Sequence, residues 1–365
     1  MAIIKGKPTK DGRQYSFKVR YTTLDGTTKQ YLSKKYSLKK EAQEAERQFL
    51  LTLTNKTEYS NINFHDLFLS YDSFQKDRLK ITSYNDYKKF LKYFESLYKV
   101  KVLDFDLVRF NQWKNSINKL DLSTTYKNNI FKFLKALLHY ANKYLDLNTI
   151  SISNKLTGFK NPNELKKEMK FYTYDEFKDF IKQEKDIKYK CFFETLYYCG
   201  LRKGEANALT WNDINFEKNT LSISKNLTRK IKGEKYVILP PKTKSSIRIL
   251  PMPKSLLDDI KLLYNEYSKY DNFEKNWFVF GGIYPLADTS IQVHSDRNCK
   301  LGNVKHIRIH DFRHSCASLL INNGSSITLV AKYLGHSNIS TTLNTYTHMF
   351  KNEFDDIINT INNLK

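Results

Sequence analysis

The residues of this chain best equipped for chemistry gather in four short pieces of its C-terminal half: Gly200-Leu201-Arg202, His310-Asp311-Phe312-Arg313-His314, Leu334-Gly335-His336, and Tyr346. Together they offer guanidiniums, imidazoles and a phenol, the groups needed to attack a phosphodiester without a metal. Such an attack must tolerate negative charge that grows as a fifth oxygen approaches phosphorus. Guanidinium is permanently charged and presents paired donors to two phosphate oxygens, so Arg202 and Arg313 are the expected clamps. Each piece alone is commonplace; order and spacing carry the signal.

His310 and Arg313 stand at i and i+3 of a predicted helix, so both address one phosphate from the same face. His314 falls off that face and is expected to be structural. His336 follows Leu334-Gly335, where glycine lets a helix end and the chain approach a ligand; its expected task is a hydrogen bond to a non-bridging oxygen or to the attacking phenol. Tyr346 comes after Ser337-Asn338-Ile339-Ser340, whose polar side chains can cap the helix that carries it. A free phenol has a pKa of about 10, a handicap of roughly 4 kcal/mol near pH 7. Two arginines supply a positive field and His310 a base, and both reduce that handicap. With 25 tyrosines in the chain, position rather than residue type singles out Tyr346.

The leaving 5′ oxygen needs a proton as it departs. Lys242, in the turn Pro241-Lys242-Thr243-Lys244-Ser245-Ser246, is placed to deliver it, with Lys244 as the competing assignment. Glu205, one helical turn after Arg202, is within reach to hold that guanidinium in place. No HExxH or acidic cluster suggests a metal, and the scheme uses no cofactor.

These groups need a scaffold, and 365 residues suggest two or three domains. The 61 basic and 38 acidic side chains leave a net charge of +23, an excess that draws a polyanion, nucleic acid first. Cys191, Cys199, Cys299 and Cys316 are scattered without ligand spacing, so reduced thiols are expected. The opening Met-Ala-Ile-Ile-Lys is too short for a signal peptide, and no run of 18 apolar residues occurs. The expectation is a soluble cytoplasmic protein without a membrane partner.

Tyr15, Phe17, Val19 and Tyr21 alternate with Ser16, Lys18 and Arg20, which predicts a half-buried strand. Asp25-Gly26 predicts a hairpin turn, Thr28 to Tyr36 a further extended stretch, and Leu38 to Leu53 a helix. Residues 1–57 thus read as a three-stranded sheet backed by one helix, with 13 basic and 5 acidic side chains. Lys18 and Arg20 on the outer face suit entry into a major groove. Residues 61–147 read as a four-helix bundle: Phe64 to Leu79, Ser83 to Tyr98, Phe105 to Ile117 and Ser123 to Leu145. Arg78, Lys80, Lys88, Lys89, Lys92, Lys127, Lys132 and Lys135 lie on or beside it. Residues 148–169 read as a linker. Residues 170–365 read as mostly helical, with strands near Thr220 to Ser224, Lys235 to Leu239 and Ile247 to Pro251, and helix stops at Gly324 and Gly335. The fold class is multidomain α+β.

The text from Thr195 to Ala206, the turn around Lys242, His310 to His314, and Leu334-Gly335-His336-Ser337 through Thr345-Tyr346-Thr347-His348 resembles the tyrosine recombinases. Among them it is similar to integrases of phages and integrative elements that carry an N-terminal arm-binding domain. The resemblance implies an arm-type DNA-binding domain at 1–57, a core-binding domain at 61–147 and a catalytic domain at 170–365. It also implies double-stranded core and arm attachment sites, a homotetramer on DNA, two strand exchanges through a 3′-phosphotyrosine and a Holliday junction, and an excisionase or DNA-bending partner. The apolar series Phe350, Phe354, Ile357, Ile358, Ile361 and Leu364 suits docking on a neighbouring subunit or on its own domain. Two other readings stay open on the residues alone: a type IB topoisomerase, and a DNA-binding regulator that has lost the chemistry.

Overall fold

Alternation along Tyr15 to Tyr21 produces the strand it predicts. In the computed structural model, which describes residues 2–9, 11–22, 28–59, 61–161, 169–241, 243–346, 358 and 361–363, β2 (Tyr15–Thr22) lies between β1 (Ala2–Lys5) and β3 (Thr28–Leu32), antiparallel to both. Phe17 and Val19 are buried, and Phe49 of α1 (Lys39–Tyr59) packs its ring 5.9 Å from that of Phe17. Lys18 and Arg20 are exposed, paired in register with Leu32 and Gln30. The expected Asp25-Gly26 turn lies outside the described residues.

The chain divides into two compact units, Met1–Leu165 and Lys166–Lys365. Besides the sheet, the first holds α2 (Phe64–Lys76), α3 (Ile81–Lys88), α4 (Leu107–Asn118), α5 (Thr124–Tyr144) and α6 (Ile150–Lys155). Asn63, Asp106 and Ser123 cap α2, α4 and α5 by accepting backbone N–H groups at the third position beyond them. Phe64, Phe94, Trp113, Leu134 and Leu137 form the middle of the bundle core. Ser83 to Tyr98 does not make one helix. After Lys88 the backbone tightens into short 3-10 turns at Leu91–Tyr93 and Glu95–Leu97, because Phe94 is wholly buried and Trp113 Nε1 donates to the Tyr93 carbonyl at 2.8 Å. Within 148–169, α6 and the buried Leu156 and Phe159 belong to the bundle rather than to an open connection. Several bundle cations are tied locally, Lys88 to Asp72 at 3.3 Å and Lys89 to Asp86 at 2.7 Å.

The second unit begins with α7 (Tyr174–Ile181), α8 (Ile187–Tyr198) and the short α9 (Lys203–Ala206). Next come β4 (Ile214–Asn215), β5 (Thr220–Ile223), β6 (Asn226–Thr228), β7 (Val237–Leu239) and β8 (Arg248–Pro251), arranged as a sheet β4-β5-β8 and a separate ladder β6-β7. The rest is α10 (Lys254–Tyr267), α11 (Asp288–Leu301), α12 (Asp311–Asn322), α13 (Ile327–Leu334) and α14 (Ile339–Tyr346). Phe177, Phe192, Phe193, Leu196 and Phe312 are fully buried in its core, each large side chain contributing about 1.5–3 kcal/mol. That core fixes α8 against α12, so the Gly200 turn that follows α8 meets the helix that carries Arg313 and His314. Gly335 ends α13 with φ +72°, as its position predicts. Of the apolar tail only Ile358 and Ile361 are described, both exposed. Among the described residues no helix is long and apolar enough to cross a membrane.

Candidate active site

The start of α12 is set by Asp311, whose buried carboxylate accepts from Arg308 Nη2 at 2.8 Å and Nε at 3.0 Å. His310 occupies the N-cap position and is solvent-exposed. One turn inward, Arg313 is 3% exposed and donates Nη1 to the Gly200 carbonyl at 2.7 Å. Gly200 has φ +60°, and a methyl group there would lie 2.5 Å from Leu334 Cδ2 and 3.0 Å from Cys316 Sγ. The first letter of Gly-Leu-Arg is therefore fixed by sterics: it turns a carbonyl toward Arg313 and lets α8 end under α12 and α13. Arg313 Nη2 is buried and has no protein partner among the described residues.

Arg202 opens α9, and Glu205 grips it twice, accepting from the Arg202 backbone N–H at 3.1 Å and from Nη1 at 2.5 Å. The carboxylate is buried and shared: Arg248 Nη2 donates to Glu205 Oε2 at 3.1 Å. Arg248 further donates Nε to the Tyr333 carbonyl at 2.9 Å and Nη1 to the Ser246 carbonyl at 3.1 Å. Burial pushes the Glu205 carboxyl up, but Arg248 and Arg202 outweigh it and hold it below the usual carboxylate range.

His336 lies just past Gly335, with Nδ1 2.7 Å from Thr342 Oγ1. Thr342 and Tyr346 stand one turn apart on α14, and both are buried. The helix that carries the phenol therefore also orients the imidazole. Tyr346 is 1% exposed, packs with Cys316, Val330 and Leu334, and places its hydroxyl 2.6 Å from His314 Nδ1. The sequence predicts a structural role for His314, and the contact shows which group it holds. Consecutive helical residues diverge by about 100°, so His314 leaves the face of Arg313, but that turn directs it at α14.

Two sets of contacts thus meet in the second unit: Tyr346 to His314 and Arg313 to Gly200 around α12, and Arg202 to Glu205 to Arg248 and on to the Tyr333 carbonyl, with His336 held by Thr342 on the helix of Tyr346. Burial and then Arg202 push Arg313 down to about 9. Burial and then Arg313 push His336 down to about 4, and burial and then His310 do the same for His314. Partial loss of solvent on its inner side and then Arg313 lower His310, while burial raises Tyr346. Lys242 lies outside the described residues. Beside it Thr243 Oγ1 bonds Ser246 Oγ at 2.9 Å, and the Ser245 carbonyl would lie 3.0 Å from a methyl group on Gly335, so the turn folds against the His336 loop. No cluster of three potential metal ligands occurs among the described residues.

Arg248 and His314 are the two members that the sequence reading does not assign to the site. Arg248 lies on β8 between Ile247 and Ile249, which the structure leaves 57% and 68% exposed while Leu250 is buried. A strand that turns an arginine inward and isoleucines outward inverts the usual pattern, and the inversion marks a buried charge.

The fold and the grouped side chains define a tyrosine recombinase. The Phage integrase family model matches residues 163–353, and the chain belongs to that family, whose activity is site-specific DNA recombination by integration and excision. The chain is 32% identical over 214 residues to the ICEBs1 integrase of Bacillus subtilis, an alignment that takes in 54% of this chain and 56% of that one. It is 27% identical over 388 residues to a XerC-like tyrosine recombinase of Caldanaerobacter subterraneus, covering 97% of each. A solved structure of the Tn1549 transposon integrase in complex with a circular intermediate DNA has the same fold, with a TM-score of 0.64 at 21% identity over 78% of this chain and 95% of that one.

Proposed function

We propose that this chain integrates and excises a mobile element by cutting and rejoining double-stranded DNA through Tyr346. The observation that carries the reading is the grouping of Tyr346, His314, His310, His336, Arg202 and Arg313, in which the Tyr346 hydroxyl meets His314 and Arg313 Nη2 is buried with no protein acceptor among the described residues. A phosphate supplies the missing acceptor. Arg202 and Arg313 hold its non-bridging oxygens, and His336, braced by Thr342, donates to one of them. Neutral His310 takes the phenol proton as the Tyr346 oxygen bonds to phosphorus. The bond from phosphorus to the 5′ oxygen breaks, and Lys242 protonates that oxygen as it leaves. One ester replaces another, so the 3′-phosphotyrosine retains the energy for rejoining and neither ATP, metal nor other cofactor enters.

In this reading the exposed Lys18 and Arg20 engage arm attachment sites, the helical bundle and the catalytic domain engage core sites, and the part of 148–169 that follows Phe159 joins these last two. A homotetramer exchanges strands in two rounds through a Holliday junction in the cytoplasm, with an excisionase or DNA-bending protein setting direction. The test is a nicked suicide duplex built from the DNA flanking the gene of this chain. Wild type is expected to give a covalent adduct stable to denaturant, and Tyr346→Phe none. An adduct with the Phe variant assigns the nucleophile elsewhere. Replacing Lys18 and Arg20 by Ala should flatten the salt dependence of arm-site binding by about one unit of log–log slope per charge.

A further inference from the structure

His314 stands next to Arg313 and has no part in the phosphate chemistry above, yet its Nδ1 lies 2.6 Å from the Tyr346 hydroxyl. The phenol is fully buried, and a buried O–H needs an acceptor. The apolar and thiol groups that pack around the ring, Cys316, Val330 and Leu334, accept poorly or not at all. The contact also joins two elements separate in sequence. One is α12, anchored at its start by Asp311 and further along by Ser315, whose Oγ receives the Tyr172 backbone N–H at 2.9 Å. The other is α14, the helix on which the phenol rides.

We propose that His314 is a positioning residue for the nucleophile: its unprotonated Nδ1 accepts the Tyr346 hydroxyl hydrogen and ties the phenol to the helix that carries Arg313. The inference rests on Tyr346 being the nucleophile. It assigns no proton transfer to His314. Burial and the neighbouring His310 keep the ring neutral at pH 7 and the phenol is raised, so the proton stays on oxygen and the ring serves as a fixed acceptor. The proposal requires one tautomer, with hydrogen on Nε2 and the lone pair of Nδ1 directed at the phenol.

An asparagine amide places Oδ1 near the position of an imidazole Nδ1, whereas phenylalanine fills the volume without an acceptor. In full-length protein on the nicked suicide duplex at saturating DNA, His314→Phe is expected to slow covalent-adduct formation by about tenfold to a hundredfold, with unchanged DNA affinity, and His314→Asn to recover most of the rate. A Phe variant that cleaves at the wild-type rate overturns the proposal, as does an Asn variant as slow as Phe with the same thermal midpoint. Nitrogen-15 spectra of the 8 histidines give a second readout free of DNA. One ring is expected as the Nε2–H tautomer with a Nδ1 signal that moves in Tyr346→Phe and vanishes in His314→Asn, and a Nδ1–H tautomer at that ring also overturns it. Tyr346→Phe separates the failures. If that variant still traps DNA the nucleophile is misassigned, whereas an inactive Tyr346→Phe beside a fully active His314→Phe sinks this inference alone.

Discussion

Arg248 Nη2 and Glu205 Oε2 meet at 3.1 Å across 43 residues of chain, with side chains only 7% and 3% exposed. One guanidinium thereby joins α9, the turn before β8 and the end of α13, because its other donors reach the Ser246 and Tyr333 carbonyls. Removing the cation leaves a buried carboxylate with Arg202 as its remaining charged partner and takes a donor from two carbonyls. Arg248→Met is expected to lower unfolding free energy by roughly 3–5 kcal/mol, measured from the urea midpoint. Arg248→Lys keeps the charge but cannot span three acceptors, and should recover only part. A loss below about 1 kcal/mol in the Met variant would reduce the pair to a surface-like contact. The carboxyl of Glu205 is depressed in the folded protein, so its contribution is complete above the ordinary value of 4.5 and is lost as pH falls through the lower folded value. The stability gap between wild type and Glu205→Gln should accordingly narrow only under acid.

Arg313 presents the opposite balance. Its Nη1 is satisfied by Gly200, but Nη2 is buried without a partner among the described residues, and the neighbouring Arg202 makes the charge harder to hold. A buried cationic donor without an acceptor is a burden on the free protein. Arg313→Met should reduce the rate of adduct formation by about a hundredfold or more, while its thermal midpoint stays level or rises. Strong destabilisation by this substitution would show that Arg313 is chiefly a structural donor to Gly200.

The grouping of Arg202, Arg313, the imidazoles and Tyr346 is legible in the sequence because short runs such as Gly200-Leu201-Arg202 and His310 to Arg313 put chemistry and local geometry in the same few residues. Gly200 shows why: its carbonyl, its φ of +60° and its lack of Cβ each serve the site. Arg248 is not legible from spacing, since its partner Glu205 is on another element and only the fold joins them. The Tyr346 contact of His314 is hidden for a related reason. A helical wheel says which face a residue leaves, not which helix waits on the next face. In the bundle, the break after Lys88 escapes the periodic pattern because burial of Phe94 and the Trp113 bond to Tyr93 outweigh helix propensity there.

His336 gives a pH-dependent prediction. Facing it are Arg313, Arg202, Arg248 and His314, and with burial they hold its folded value near 4, against the ordinary 6.5. Between these values the unfolded chain binds a proton that the folded chain does not, so folding stability falls as pH drops from 6.5 toward 4 and levels off below. His314 adds to the same window. His336→Gln should flatten the fall seen in urea titrations. A DNA phosphate placed among the guanidiniums relieves the repulsion and raises His336, so binding near pH 6 should take up protons, seen in calorimetry as a heat that varies with buffer ionisation enthalpy. A binding heat independent of buffer, or an unchanged one in His336→Gln, counts against contact between this ring and the phosphate.

The proton donor to the leaving oxygen can be identified by changing the oxygen rather than the protein. Thr243 bonded to Ser246 shapes a turn that folds against Gly335, and this is the turn whose sequence carries the two candidate lysines, 242 and 244. Only one of them can protonate the 5′ oxygen in a single geometry. A 5′ phosphorothiolate at the cleaved bond departs as a thiolate, whose conjugate acid has a pKa of about 8.5 in cysteine, so it needs little help from an acid. Lys242→Ala is expected to cleave the all-oxygen duplex about a hundredfold more slowly or worse, and to approach the wild-type rate on the sulfur-containing duplex. Lys244→Ala should show neither the defect nor the rescue. If Lys244→Ala is the variant that sulfur restores, the general acid moves two residues along the turn. If sulfur restores neither, the lysine holds the phosphate rather than delivering a proton.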